Sequence, residues 1–360
     1  MSALSAFSFL GGLALLLAGA EIMVRGASSL ARAYGIPPLI VGLTIVAFGT
    51  SSPELAIATS ASLSGNGEIV VGNVLGSNIA NVLLILGVAA VVSPLVVTRQ
   101  LIRNDVPVMI GLSVLAYVFA MDGSIARWEG VVLLVLAAVY TGFLVRAARR
   151  RRSASISEEK EPPARRATDA LLIVGGLVML VLGSKLLVSG ATDIARAMNV
   201  SELVIGLTVV AIGTSAPEIA TTVIAAVRGQ REIAVGGVIG SNIYNIVLVL
   251  GVGAAISPSA LAVPPAALHF DFPVMLAVAF ACLPIFFVGF KVMRWEGALF
   301  LFYYIAYTAY LVLASKHHDA LSTFSAVMGG FVIPLTVLTL VALSVHAWYK
   351  YQRDGLPEDC

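Results

Sequence analysis

Polar positions in this 360-residue chain are sparse and clustered. Between them run apolar stretches of about 20 residues or more, the length a helix needs to cross the hydrocarbon core of a bilayer. The pattern predicts eleven such helices, at 5–30, 37–63, 67–93, 105–121, 126–147, 169–196, 201–227, 232–256, 271–290, 294–315 and 323–348. A segment in lipid must satisfy its own backbone hydrogen bonds, so long apolar runs of this kind are read as helices. The expected fold is an all-α polytopic membrane protein.

The polar interruptions recur in order. Gly42-Leu-Thr-Ile-Val-Ala-Phe-Gly-Thr-Ser-Ser-Pro-Glu54 is answered by Gly206-Leu-Thr-Val-Val-Ala-Ile-Gly-Thr-Ser-Ala-Pro-Glu218, an offset of 164. Gly76-Ser77-Asn78-Ile79 and Asn81 match Gly240-Ser241-Asn242-Ile243 and Asn245 at the same offset. Asp105-Val-Pro-Val-Met109 matches Asp271-Phe-Pro-Val-Met275, and Arg127-Trp-Glu-Gly130 matches Arg294-Trp-Glu-Gly297. Each half therefore holds five helices. Because five is odd, the halves cross the membrane in opposite senses, the inverted repeat of many secondary transporters. The expected organisation is a first repeat at 1–148, a linker at 149–168, a second repeat at 169–316, and an extra helix with a tail at 317–360.

Composition agrees: 59% of residues are hydrophobic and 12% charged, and the mean hydropathy is +0.98. No polar stretch is long enough for a soluble domain, and a net charge of +2 offers no footprint for nucleic acid. With the N-terminus outside, 17 of the 22 Lys and Arg residues fall in inside segments and 3 in outside ones. The positive-inside rule then places the C-terminus on the cytoplasmic side, and the expected location is the cell (inner) membrane. The N-terminus lacks a basic n-region and its segment has a repeat partner, so it is read as a retained span rather than a signal peptide. The linker, with Arg149 to Arg152, Glu158, Glu159, Lys160 and Glu161, reads as solvated; contact with anionic lipid is the alternative. Cys282 and Cys360 suggest no disulfide framework.

The chemistry lies in the twin motif. Proline has no N–H, so Pro53 frees the carbonyl of Gly49 and Pro217 that of Gly213. Hydroxyls of Thr50, Ser51, Thr214 and Ser215 surround those breaks, and Glu54 and Glu218 place carboxylates inside apolar runs, where ionisable groups mark functional sites. Ser77, Asn78 and Asn81, with Ser241 and Asn245, add hydroxyl and amide oxygens from helical faces. Such an oxygen-rich, doubly charged site suits hard cations; calcium takes about six to eight oxygens. Neither His nor Cys occurs in the motifs, which argues against zinc or copper. No cofactor, no nucleophile–base pair and no metal-hydrolase motif is found, so an enzyme is not expected. An oxygen-lined cation channel is the reading from another class.

These paired stretches resemble the alpha-repeats of the cation/calcium antiporter superfamily, most of all its sodium/calcium exchanger branch of prokaryotic type. The resemblance covers nearly the whole chain. It implies a fold in which the second, third, seventh and eighth helices surround the ion sites while the long first and sixth slide. The ligands it implies are Glu54, Glu218, Thr50, Ser51, Thr214, Ser215, Ser77 and Ser241 with the backbone carbonyls of Ala47 and Ala211, and Asn81 and Asn245 line the same centre. Some members carry an acid where this chain has Asn245, so potassium coupling is disfavoured. Proton/calcium exchangers typically carry a His in the third and eighth helices, absent here, and form the runner-up. The implied function is exchange of sodium for calcium by alternating access, with the lipid bilayer and the two ions as partners.

Remaining features have plainer readings. Asp105 and Asp271 are expected to cap the helices that they precede, and Trp128 and Trp295 to anchor at the interface. Glu21 and Lys185, at equivalent positions, are read as a salt-bridge pair or as solvent-facing. Glu68 and Glu232 favour the positive ends of the third and eighth helices. His317 and His318 lie in a loop, and the eleventh helix is assigned to packing or oligomerisation.

Overall fold

The computed structural model describes residues 3–154, 163–198, 211–315 and 320–354. The described chain is helical nearly throughout. In order the helices are α1 (Ala3–Tyr34), α2 (Pro38–Thr50), α3 (Ser52–Leu63), α4 (Gly67–Val92), α5 (Leu101–Ala120), α6 (Arg127–Ala154) and α7 (Pro163–Ala197). They continue as α8 (Ala211–Thr214), α9 (Ala216–Val227), α10 (Arg231–Ile256), α11 (Ala267–Phe287), α12 (Arg294–Ser315) and α13 (Ala320–Arg353).

Among the described residues nine helices are long and apolar enough to cross a membrane, and α2 with α3 makes a tenth crossing bent by 43°. The break falls at Ser51 (φ −79°, ψ 5°), two residues before Pro53. Ser215 (φ −88°, ψ 8°) breaks the second repeat before Pro217. The crossing predicted at 201–227 is seen in its latter part, since 199–210 lie outside the described residues, as do His317 and His318. The chain is an integral, all-α polytopic membrane protein.

α1 and α7 contain 32 and 35 residues. At about 1.5 Å per residue both exceed a 30 Å hydrocarbon core, so they must tilt or project. They lie antiparallel along most of their length, joined by two rows of glycines at seven-residue spacing: Gly12, Gly19 and Gly26 against Gly176, Gly183 and Gly190. A Cβ on Gly183 would come within 2.8 Å of the Leu16 nitrogen, and one on Gly176 within 2.7 Å of the Gly19 carbonyl. Backbone-to-backbone packing through small residues is how membrane helices approach without hydrophobic drive.

The remaining helices form a core with repeated cross-half pairings. α6 packs on the latter part of α10, and α12 on the latter part of α4. Gly130 abuts Ala254 and Gly251, while Gly297 abuts the Gly87 carbonyl and Ala90. At the helix ends, β1 (Leu95–Val96) pairs antiparallel with β4 (Lys291–Val292), and β2 (Ser124–Ile125) with β3 (Leu261–Ala262). Each small sheet takes one strand from either half. α10 is 94% buried over its most apolar stretch, whereas α13 is 6% buried, so the first is the axis of the bundle and the second a peripheral helix.

Three expectations need correction. α5 starts at Leu101 and α11 at Ala267, so Asp105 and Asp271 lie within helices and make no side-chain cap. They instead accept hydrogen bonds from Tyr140 (3.1 Å) and Tyr307 (2.8 Å), because a carboxylate withdrawn from water, fully at Asp105 and partly at Asp271, needs a donor. The capping role belongs to Glu129 and Glu296, which reach back to the Ala126 and Met293 N–H groups at 2.7 Å. Glu21 pairs not with Lys185 but with Arg25, one turn away, and with Arg228 at 2.7 Å.

Candidate ion-binding site

Each broken crossing presents its acid in the first turn of the second half-helix: Glu54 in α3 and Glu218 in α9. The positive end of a helix there favours a carboxylate. Both are buried, at 1% and 4% exposure, and the Oε2 atom of each has no hydrogen-bond partner among the described residues. A buried acceptor left in that state is costly. The last turn of α2, which ends in Thr50, packs against α9, which carries Glu218, so the two breaks face one region.

Two more unpartnered buried oxygens belong to predicted site residues, Ser51 Oγ and Asn245 Oδ1. Thr50 Oγ1 lies 3.4 Å from Ser241 Oγ, joining the break of the first repeat to the central helix of the second. Thr50 Oγ1 also donates to the carbonyls of Val46 (3.1 Å) and Ala47 (3.4 Å); the Ala47 carbonyl accepts the Ser51 N–H as well. Ser77 Oγ donates to the Asn73 carbonyl at 2.7 Å, leaving its lone pairs available. Asn81 is buried and donates to Asn242 Oδ1 at 2.9 Å across the halves. Ser215 is buried beside its break and Thr214 ends α8; Ala211 opens α8.

The packing that gathers these groups is reciprocal. α3 lies against α4 and the latter part of α10, and α9 against α10 and the latter part of α4. Gly240 lets α10 approach α2 so closely that a Cβ there would meet the Leu43 carbonyl at 2.8 Å. Wide π-type turns interrupt the helices at Gly42–Val46, Asn81–Leu86 and Asn245–Leu250, before Thr50 and from the two asparagines onward. Turns of this kind often mark functional sites.

The structure adds residues that the ligand set omits. Asn73 Nδ2 donates to the Glu54 carbonyl (3.4 Å), and Ser184 Oγ on α7 donates to the Gly213 carbonyl freed by Pro217 (2.6 Å). Neither has a polar repeat mate, since Gly237 and Ala20 stand at the matching positions, so comparison of the halves is blind to both. Asn78 and Asn242 donate to Met275 Sδ (3.6 Å) and Met109 Sδ (3.5 Å), locking each half to the other. Their signal was in the sequence, as part of the repeated Gly-Ser-Asn-Ile motif.

The arrangement can hold a small, hard cation between two carboxylates with hydroxyl, amide and carbonyl oxygens around it. Known proteins resemble the chain as a whole. The sodium/calcium exchanger protein family matches at residues 4–146 and 168–313. Among individual relatives, the inner membrane protein YrbG of Escherichia coli is 42% identical over 275 residues, covering 74% of this chain and 84% of its own. The sodium/calcium exchanger MaX1 of Methanosarcina acetivorans is 38% identical, covering 83% of this chain and 96% of its own. Among solved structures, the sodium-calcium exchanger NCX_Mj, soaked with zero Na+ and Ca2+, superposes with a TM-score of 0.76 at 33% identity, over 86% of this chain and all of that one. The chain belongs to the sodium/calcium exchanger family.

Proposed function

We propose that this protein is a secondary active antiporter that exchanges sodium for calcium by alternating access. The observation that carries the reading is the pair Glu54 and Glu218, buried in half-helices of opposite repeats, each with an oxygen that no donor among the described residues satisfies. Two negative charges match one calcium ion or, more weakly per ion, more than one sodium ion. Ser51 and Asn245, with Thr50, Ser77, Ser241 and Ser215, supply neutral oxygens; Thr214, Asn81 and the carbonyls of Ala47 and Ala211 complete the proposed set. Relatives that bear the name sodium/calcium exchanger support the choice of ions.

Exchange follows from electrostatics. Sealing two bare carboxylates from water is costly, so an empty site resists closure, while an ion of either kind neutralises it. α1 and α7 are the proposed moving pair: glycine rows leave their shared surface smooth, and both border the α9 side of the site. The test is calcium uptake into proteoliposomes loaded with sodium, with potassium or with a proton gradient. Uptake that requires internal sodium and disappears in Glu54→Gln supports the reading. Uptake driven by protons alone would transfer it to proton exchange, and uptake without any counter-ion to a channel.

A further inference from the structure

Two neighbouring cavities lie along α11 and α13, away from the ion site. The first, about 400 Å³, is an almost wholly apolar slot walled by Val274, Ala281 and Ile285 of α11 and by Met328, Gly329 and Leu340 of α13. The second, about 350 Å³, lies further along the same two helices, where Arg99 and Arg103 face Phe287, Phe290, Trp348 and Tyr351. Neither arginine has a carboxylate partner among the described residues. α13 is fastened within the slot, at Tyr303, and beyond its Leu340 end, at Tyr351. Tyr351 Oη accepts the Gly289 N–H at 2.7 Å and packs edge-on against Phe287, while Tyr303 donates to the Val332 carbonyl (3.4 Å) and to Thr336. These contacts hold α13 against α12 and against the end of α11.

We propose that these cavities together bind one anionic phospholipid, with its phosphate on Arg99 and Arg103 and an acyl chain in the slot. An apolar space of this size gives water no polar partners, whereas in a bilayer lipid chains surround it. The planar, forked donors of Arg suit phosphate, and Trp and Tyr belong at headgroup level. The Lys and Arg distribution puts this end of the bundle on the inside, where anionic lipid concentrates and where basic pockets between helices bind such headgroups. Lys291, in the strand paired with Val96, and Lys350, next to Tyr351, add positive charge at the same end. A free phosphate would use the arginines but not the slot; a lipid uses both. The family match ends at residue 313, so the site is built where the peripheral helix meets the shared core. The lipid completes the seating of a helix that protein contacts leave mostly uncovered, whichever cations are exchanged.

Native mass spectrometry of the full-length protein, titrated with phosphatidylglycerol or phosphatidylcholine of the same chains, tests this. The wild type is expected to retain one phosphatidylglycerol about tenfold more tightly than phosphatidylcholine. R99Q/R103Q should remove that preference. Gly329→Leu, whose new Cβ has nothing within 4 Å, should fill the slot and weaken retention of both lipids. Equal retention of the two lipids by the wild type overturns the proposal, and that comparison stands even where a variant fails to fold. A preference that survives R99Q/R103Q, or displacement of the lipid by inorganic phosphate, overturns it too.

Discussion

Glu54 and Glu218 each follow a proline, which opens the helix beside the acid, and each keeps one oxygen without a partner among the described residues. Removing either charge would leave a calcium ion in the proposed site half-neutralised and shielded from water. Glu54→Gln and Glu218→Gln are therefore each expected to weaken calcium-dependent uptake by about a hundredfold or more, since interactions of charged groups in such places exceed the 1–3 kcal/mol of neutral ones. Thr50→Ala should cost about tenfold by the same reasoning, because it removes one neutral oxygen and the link to Ser241. The initial rate of radioactive calcium uptake, measured against calcium concentration, separates these outcomes; a Thr50→Ala loss as large as that of Glu54→Gln would contradict the division of roles. The acids were legible in the sequence because a carboxylate in an apolar run is conspicuous. Asn73 and Ser184 were not, since each serves a backbone carbonyl on another helix and neither is repeated.

Among elements, the α1–α7 pair has the clearest signature, glycines recurring every seven residues in both helices. That spacing was open to inspection, but only the packed structure says what the rows face. Gly183→Leu should force the helices apart, at roughly 1–3 kcal/mol for an overpacked contact, and slow exchange more than it lowers calcium affinity if this pair moves. Thermal melting together with transport kinetics checks it; unchanged kinetics at a lowered melting temperature would make the seam merely structural. The boundaries of α5 and α11 were misjudged because Asp before Val-Pro or Phe-Pro imitates a cap. The aspartates turn inward, towards tyrosines 35 and 36 residues away, a partnership without local pattern.

For the whole molecule, the inverted repeat explains why several cross-half contacts have a counterpart: Asn78 with Met275 and Asn242 with Met109, β1 with β4 and β2 with β3. Asn81 with Asn242 is an exception that joins the halves near the site. Replacing Asn242 by Leu should lower stability by about 0.6–2 kcal/mol, typical of hydrogen bonds between membrane helices, with a larger effect on transport, read by melting and uptake together. Orientation can be checked with the native thiols, because Cys282 is fully buried and so leaves Cys360 to report. A membrane-impermeant maleimide is expected to label Cys360 in inside-out vesicles and not in right-side-out ones; the reverse would invert the topology.

By itself the sequence determined the class of fold, the opposed sense of its halves and the acids at its centre. The hydrocarbon core admits only helices that satisfy their own backbone, an odd number of them reverses direction, and a charge there is too costly to be incidental. Tertiary structure alone decided which polar groups meet: Thr50 with Ser241, Asn81 with Asn242, Glu21 with Arg228, and the arginines of α5's approach with the aromatic end of α13. Such pairs lie far apart in the chain, and hydrogen bonds and close packing act through distances that no periodicity along a single helix records.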